Sequence, residues 1–418
     1  MVPLSTVGTE LELNLYNPDF RISDQAAFVL THPLTRDNAG RRWLIHEATN
    51  SNVEINSNPA ETIAELSADL RDKLINLEQI CQEVGVLPIT ASEYGAGISE
   101  VFMEYEAMLE NDFFRCRTYP KIFPAAGELP RVLGTHIHIS QALTEEEKLK
   151  QAVLLEGVES LLPALTSTSP IRYDRVNGLN NHRIPLQRHT VFGPMPIFSQ
   201  LQPYPTSLDD ISRDNKKRVA SFIEAAVKQG VDPIRLSEEF QEHNTGYQPV
   251  RKKDHIGPSG TWEIRSADTS PLSYLESSAA LIKGLNDYML SNSVAVEVAT
   301  DDGKFSFSPG RFVVPNFATR QMMEKAYSER GFEIHPEHGD IMARFLRAAL
   351  PYAEAGLPEM DRDYLRRAKQ IASTQQNPAS QLMHHLHTEM GLLGSKCSME
   401  QAIAANKFMR EMYLEDLA

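Results

Sequence analysis

Residues 8–15 read GTELELNL, and from Thr9 onward polar and apolar residues alternate strictly. Leu11 and Leu13 fall on one face of this segment, and Glu10 and Glu12 fall on the other. A period of two predicts a β-strand with one buried face and one polar face. The carboxylates of Glu10 and Glu12 therefore point the same way, roughly 6.5–7 Å apart along the strand.

Three further segments show the same alternation and predict strands. They are residues 52–56 (NVEIN), residues 131–140 (RVLGTHIHIS) and residues 260–267 (GTWEIRSA). Their polar faces carry Glu54, the pair His136 and His138, and the pair Glu263 and Arg265. On any one strand such residues are usually the solvated side, but carboxylates, histidines and an arginine on one sheet face would be an unusual solvent surface.

A face of this composition can hold divalent metal ions that bridge phosphate groups. Oxygen-rich clusters suit Mg²⁺ or Mn²⁺, and a histidine nitrogen in the set suits Mn²⁺ or a phosphate contact. The sequence has neither a P-loop nor a G-x-G-x-x-G motif, so metals and cationic side chains would hold any nucleotide. Periodicity alone does not establish that the four strands adjoin.

Helical patterns separate the predicted strands. Apolar residues recur at intervals of three and four over residues 62–84, further helices are predicted from Thr144 and over residues 272–292, and residues from Pro336 onward are mostly helical. No flexible linker composition interrupts the chain. We therefore expect an α+β protein with a single catalytic domain over residues 1–418, comprising a core of about residues 5–330 and a helical C-terminal extension of about residues 335–418. A parallel βαβ arrangement of the same strands stays open.

Composition limits the function classes. The 418 residues carry a net charge of −15, which gives no electrostatic attraction to nucleic acid. No stretch approaches the roughly 20 apolar residues that span a bilayer. Three scattered cysteines and an N-terminus without a signal-peptide pattern favour the cytoplasm. A homodimer is expected only because soluble enzymes commonly form homo-oligomers.

In order along the chain, residues 8–12 (GTELE), 50–56 (NSNVEIN), 134–140 (GTHIHIS) and 261–269 (TWEIRSADT) form a recognisable series. They resemble the glutamate–cysteine ligase family of bacterial type-2 carboxylate–amine ligases, over roughly residues 5–290. The resemblance implies a glutamine-synthetase-like fold, in which a curved antiparallel sheet is the floor of the active site. It also implies ATP-dependent formation of an amide or γ-glutamyl bond through an acyl phosphate, with glutamate as the first substrate to test.

The resemblance also assigns residue roles. Glu10, Glu12, Glu54 and Glu263 would bind Mg²⁺ or Mn²⁺. Arg265, Glu54 and His138 would be catalytic, with His136, His138 and Arg265 at the ATP phosphates. Arg183, in a segment similar to the family's downstream arginine element, would bind a substrate carboxylate. The expected partners are therefore ATP, an amino acid and an amine.

Two other functions stay open. A metal-dependent hydrolase could use His136 and His138 with a later carboxylate such as Asp268, although the Glu10–Glu12 pair would then lack a role. A non-catalytic relative that binds ATP or an amino acid is the other alternative. Residues 172–260 have distinctive local sequence, which we expect to form loops that line the amino-acid site. Within them, RKKDH at 251–255 is either a contact to ATP phosphates or a solvated run of charge.

Overall fold

A computed structural model describes residues 5–37, 39–47, 49–92, 114, 118–126, 132–172, 175–176 and 180–329, and residues 336–418. The strands are β1 Val7–Tyr16, β2 Leu44–His46, β3 Asn52–Asn56, β4 Leu87–Ile89, β5 Gly134–Ser140, β6 Ile171–Arg172, β7 Arg175–Val176, β8 Val250–Lys253, β9 Thr261–Asp268, β10 Ala295–Val298, β11 Ser306–Ser308 and β12 Arg311–Val314. The α-helices of four or more residues are α1 Ala26–Thr31, α2 Ile63–Val84, α3 Glu145–Val158, α4 Leu161–Thr166, α5 Leu208–Lys228, α6 Pro233–Glu239, α7 Leu272–Ser291, α8 Phe317–Glu329, α9 Pro336–Gly356, α10 Arg366–Thr374, α11 Pro378–Thr388 and α12 Met399–Leu417.

The main sheet brings the four predicted strands side by side. Its order is β2-β3-β1-β5-β9-β8, β4 pairs with β1 as well, and every pairing is antiparallel. The register between β5 and β9 shifts between Thr135 and Ile137, which is a β-bulge opposite the end of β9. The prediction of an α+β protein with an antiparallel sheet is confirmed, and the parallel βαβ alternative is wrong for these strands.

The alternating apolar side chains form one face of this sheet and lie in the main hydrophobic core. Leu11, Ile55 and Ile137 are fully or almost fully buried there, against the apolar faces of α2 and α7. Helix α2 begins at a capping box in which Thr62 and Glu65 each accept the other's backbone N–H. The helices thus cover one face of the sheet and leave the other face for polar side chains.

The C-terminal helices belong to the same core. Residues of α9, α10 and α12 pack in the cluster that contains the sheet and α7. The carboxylate of Asp361 accepts the backbone N–H groups of Ile63 at 2.8 Å and Ala64 at 3.0 Å, so it caps α2 from a distant part of the chain. In the part of the chain that the structure describes, no helix has the length and apolar character to cross a bilayer.

The prediction of loops over residues 172–260 is only partly correct. Helix α5 starts there, with a capping box between Ser207 and Asp210, and α6 follows it. Phe222 and Ala226 on α5 are fully buried in an aromatic cluster that also contains Phe123 and Phe198. The abundance of proline, asparagine and glycine before residue 207 hid a helix whose apolar residues recur at helical spacing.

Candidate active site

The polar face of the sheet assembles the predicted site residues by register. Across the β1–β3 pair Glu12 lies opposite Glu54, and across the β1–β5 pair Glu10 lies opposite His136. His138 on β5 lies opposite Glu263 on β9. Because antiparallel neighbours at these positions share a face, charged groups more than 250 residues apart in sequence meet within a few ångströms.

Glu12 and Glu54 form the first carboxylate cluster, together with Glu47. One carboxylate oxygen from each of the three lies within 4.8 Å of the others. Burial, and then the neighbouring Glu47, raises the pKa of Glu12 to about 7. The same two causes, with Glu10 and Glu12 added, raise the pKa of Glu54 well above its usual range. Three crowded carboxylates are costly unless a cation neutralises them, and their oxygens are suitable ligands for Mg²⁺.

Glu10, His136 and Glu263 form a second cluster whose ligand atoms also lie within 4.8 Å of one another. His136 Nδ1 lies 2.6 Å from Glu10 Oε2. Burial lowers the pKa of His136, which favours a neutral ring with its single proton on either Nδ1 or Nε2. Its Nε2 atom is buried without a hydrogen-bond partner and lies 3.7 Å from Glu12 Oε1.

The two ring nitrogens test whether the donor set suits a metal ion. With the proton on Nε2, toward Glu12, the lone pair on Nδ1 faces the carboxylates of Glu10 and Glu263, and a cation held among the three would satisfy all of them. Burial opposes ionisation of Glu10, but hydrogen bonds with His136 and His138 keep its pKa well below the usual range. The residues present therefore fit divalent cations on this face, with Glu12, Glu47 and Glu54 around one and Glu10, His136 and Glu263 around another.

Glu263 is surrounded by cations of its own. Arg251 Nε lies 2.7 Å from Glu263 Oε2 and Arg251 Nη2 lies 3.0 Å from Oε1, which is a bidentate pair between neighbouring strands. Lys253 Nζ is 3.4 Å from the same carboxylate, and Arg265 also pairs with it. Burial disfavours the charged carboxylate, but these cations keep the pKa of Glu263 well below its usual range. Arg265 is further held over the ring of Tyr247, at 5.5 Å.

Arg183 lies under the sheet edge rather than in an open cleft. Its side chain is buried, Nη1 donates to the carbonyl of Ala267 at 3.3 Å, and Nη2 donates to the carbonyl of Arg265 at 3.1 Å. A Cβ at Gly134 would come within 2.1 Å of Arg183 Nη2, so the guanidinium occupies the space that glycine leaves. These contacts position the end of β9, and the assignment of Arg183 to a substrate carboxylate stays a prediction.

Asp268 does not join the histidines as the hydrolase alternative requires. Its Oδ2 accepts the backbone N–H of Thr168 at 3.1 Å and the hydroxyl of Ser169 at 2.9 Å, and its Oδ1 accepts from Asn181 Nδ2 at 2.9 Å. Burial raises its pKa to about 6. Asp268 thus joins the end of β9 to the segments around residues 168 and 181. Its carboxylate therefore does not supply a metal ligand beside His136 and His138.

A family model described as glutamate–cysteine ligase family 2 matches residues 6–307, which include every strand of the polar face. The chain belongs to this family. The prediction of a ligase that forms a C–N bond at the expense of ATP is confirmed at this level. No curated protein matches the sequence significantly.

Two solved structures share the fold of this family member. One is a glutamate–cysteine ligase from Francisella tularensis in complex with AMP, with 12% identity and a TM-score of 0.63, where the match covers 100% of this chain and 90% of that one. The other is a bifunctional glutathione synthetase from Pasteurella multocida, with 12% identity and a TM-score of 0.61. The match to it covers 99% of this chain and 52% of that chain, so this family member spans about half of its length.

Sequence reasoning found the face but missed three of its residues. Glu47 follows the short strand β2, where LIHE gives too little alternation to mark a strand. Arg251 and Lys253 belong to RKKDH, for which solvated charge was one interpretation, yet Arg251 is buried against Glu263. Their alternation, with Lys252 on the opposite face, was the available signal.

Proposed function

We propose that this family member joins the carboxylate of an amino acid to an amine, using ATP and Mg²⁺ or Mn²⁺, with glutamate as the first carboxylate substrate to test. The observation that carries the proposal is the arrangement on one sheet face, where carboxylate oxygens of Glu12, Glu47 and Glu54 lie within 4.8 Å of one another. Beside them lies the carboxylate of Glu263, which pairs with Arg251, Lys253 and Arg265. The first suits metal ions and the second holds an arginine at the place where phosphoryl transfer would occur.

The proposed reaction has two steps that balance. An oxygen of the substrate carboxylate attacks the γ-phosphorus of ATP, the bond to the β-phosphate oxygen breaks, and ADP leaves an acyl phosphate. The nitrogen of the amine then attacks the acyl carbon and forms the C–N bond. The C–O bond to the phosphate breaks, inorganic phosphate leaves, and the nitrogen loses a proton. Bound metal ions would supply charge neutralisation on the phosphate oxygens.

The residues of the chain would contribute position and charge. Glu12, Glu47 and Glu54 would hold one cation, and Glu10, His136 and Glu263 would hold another. Arg265, fixed between Glu263 and the ring of Tyr247, would lie beside the transferring phosphoryl group. His138, whose Nδ1 lies 3.1 Å from Thr261 Oγ1, would contact the phosphates from the neighbouring strand.

Coupled ADP release tests the proposal. Purified protein with ATP and Mg²⁺ or Mn²⁺ is screened against single amino acids, and then against pairs of a carboxylate and an amine. ADP that depends on one pair supports the ligase and identifies both substrates. Glu12→Gln and Arg265→Gln should each lower the rate at least about 100-fold, whereas Glu224→Gln on the exposed surface of α5 should leave it unchanged.

Three results would count against the proposal. The first is the absence of ADP with every pair although the protein binds the metal ions, which would favour a non-catalytic relative. The second is a wild-type rate in Glu12→Gln, which would remove the carboxylate cluster from the reaction. Release of phosphate from ATP without any acceptor would show a hydrolase instead.

A further inference from the structure

A cavity lies in the helical layer, away from the polar face of the sheet. It has a volume of about 710 Å³ and is lined by α2, α7, the 3₁₀ turn Glu359–Leu365 and α10. Among the described residues that line it, none belongs to a strand. Because α2 and α7 cover the apolar face of the sheet, this cavity is separated from the carboxylate clusters by the sheet and the main core.

Among the described residues, the cavity is lined by more cationic side chains than acidic ones: Arg71, Arg362, Arg366, Arg367 and Lys369, against Asp363 and Glu276. Arg71, Arg362 and Arg366 line it, and in the described part of the chain none of the three has an ion pair within 4.0 Å. Among the described residues, Arg367 donates to two neutral oxygens, Ser273 Oγ at 3.1 Å and Gln370 Oε1 at 3.1 Å. In a chain of net charge −15, this concentration of guanidinium groups favours a ligand that carries an oxyanion.

The floor of the same cavity carries the opposite charge. Glu276 on α7 is 7% exposed, and its carboxylate accepts a hydrogen bond from Ser67 Oγ at 2.5 Å. The described residues place no cation within ion-pair distance of it. Burial, with a smaller contribution from Asp416, raises the pKa of Glu276 to about 7, although the hydrogen bond from Ser67 and the charges of Arg71 and Arg366 lower it. A buried carboxylate in this setting favours a cationic group on the ligand.

We propose that this cavity binds a free amino acid at a site distinct from the catalytic face. The ligand's ammonium group lies against Glu276 and Ser67, and its carboxylate lies between Arg71, Arg366 and Arg367. A ligand with both groups matches the carboxylate of Glu276 and the arginines together, whereas an anion alone brings no cationic group to Glu276. The volume accommodates a free amino acid. The inference does not depend on the proposed ligase reaction.

Calorimetric titration of the full chain, in a buffer with chelator and without nucleotide, tests this proposal. The probes are L-glutamate and L-aspartate, with glutarate and succinate as matched compounds that lack the amine. We expect one site for at least one amino acid and at least tenfold weaker binding of its matched diacid. Equal affinity for the amino acid and the diacid would overturn the assignment of an ammonium group to Glu276.

Variants decide which site the probe occupies. The double variant Arg71→Gln with Arg366→Gln should weaken binding of the amino acid at least tenfold. The double variant Glu12→Gln with Glu54→Gln should leave that binding unchanged. Glu276→Gln retains the size of the side chain. It should weaken binding of the amino acid and leave the affinity for the diacid unchanged. Arg213→Gln, on the exposed surface of α5, is the matched control for loss of a positive charge.

The reverse pattern would overturn the proposal. If Glu12→Gln with Glu54→Gln removes the binding and the cavity variants keep it, the amino acid occupies the catalytic face. No binding of any of the four probes to the wild-type protein would also overturn it. Neither result depends on ADP release, so failure of the ligase proposal and failure of this one are separate observations.

Discussion

Arg251 and Glu263 form a bidentate ion pair across the β8–β9 strand pair, with Nε–Oε2 and Nη2–Oε1 distances of 2.7 and 3.0 Å. Glu263 is fully buried and Arg251 nearly so. The pair therefore anchors the edge strand to the strand that carries Arg265. A carboxylate buried to this degree needs its cations, because an unpaired charge in the interior is far more costly than a paired one.

Arg251→Met should destabilise the protein by about 3–5 kcal/mol, since it leaves a buried carboxylate with fewer partners. Urea unfolding followed by circular dichroism measures the change. Arg311→Met removes the exposed pair with Glu297 and is the matched control, where about 0–1 kcal/mol is expected. Equal effects of the two substitutions would show that the buried pair has no special role. In the double variant with Glu263→Gln, the penalty of Arg251→Met should shrink.

Glu54→Gln should have opposite effects with and without metal. In chelator it should raise the melting temperature, because it removes one of three crowded carboxylates whose mutual repulsion and burial oppose ionisation. With millimolar Mg²⁺ the wild-type protein should gain more stability than the variant, because metal binding selects the folded state. Thermal unfolding in the two buffers measures both effects. The same melting temperature in chelator for both proteins would contradict the repulsion within the cluster.

Gly134→Ala should destabilise the protein by about 3 kcal/mol, because the new Cβ displaces a buried guanidinium from charged hydrogen bonds. The Cβ would come 2.1 Å from Arg183 Nη2, and Arg183 donates to the carbonyls of Arg265 and Ala267. Chemical unfolding measures it. Gly310→Ala, whose Cβ would meet nothing within 4 Å, is the control and should be close to neutral. A neutral Gly134→Ala would show that Arg183 moves aside without cost.

Glu276 should make the stability of the protein fall as the pH rises. Its pKa is raised from 4.5 to about 7 in the folded state, so the folded protein binds the proton more tightly than the unfolded chain. Between about pH 4.5 and pH 7 this group should therefore remove about 2–3 kcal/mol of stability. Glu276→Gln should flatten the pH dependence over that window. The test is the urea concentration at the midpoint of unfolding, measured from pH 5 to pH 8 for the wild-type protein and the variant. Parallel plots of midpoint against pH would contradict the prediction.

Asp361→Ala should lower the stability by about 1 kcal/mol, since two N–H groups at the start of α2 lose their acceptor. Asp361 is fully buried and accepts from Ile63 and Ala64. Asp363→Ala, two residues away and exposed, is the control and should change stability little. Chemical unfolding again measures the difference. A change of similar size in both variants would show that the cap is not specific.

The sequence predicted the secondary structure well where one periodicity dominated. The strand over β1 and the helices α2 and α7 agree with the patterns that predicted them, within a few residues. Helix α5 was missed because its first residues follow a long stretch of turn-forming composition. The resemblance to the ligase family came from short motifs, and the match over residues 6–307 confirms it.

Local patterning alone determined which face of each strand is polar, because alternation is a property of the backbone with a period of two. It could not determine which strands are neighbours, since hydrogen-bond partners and register depend on contacts between distant residues. Only the tertiary structure placed Glu47 beside Glu12 and Glu54, gave Glu263 the cation of Arg251, and turned Asp268 away from the histidines. The sequence thus determined the chemical inventory of the face, and long-range pairing in the sheet decided which charges neutralise one another.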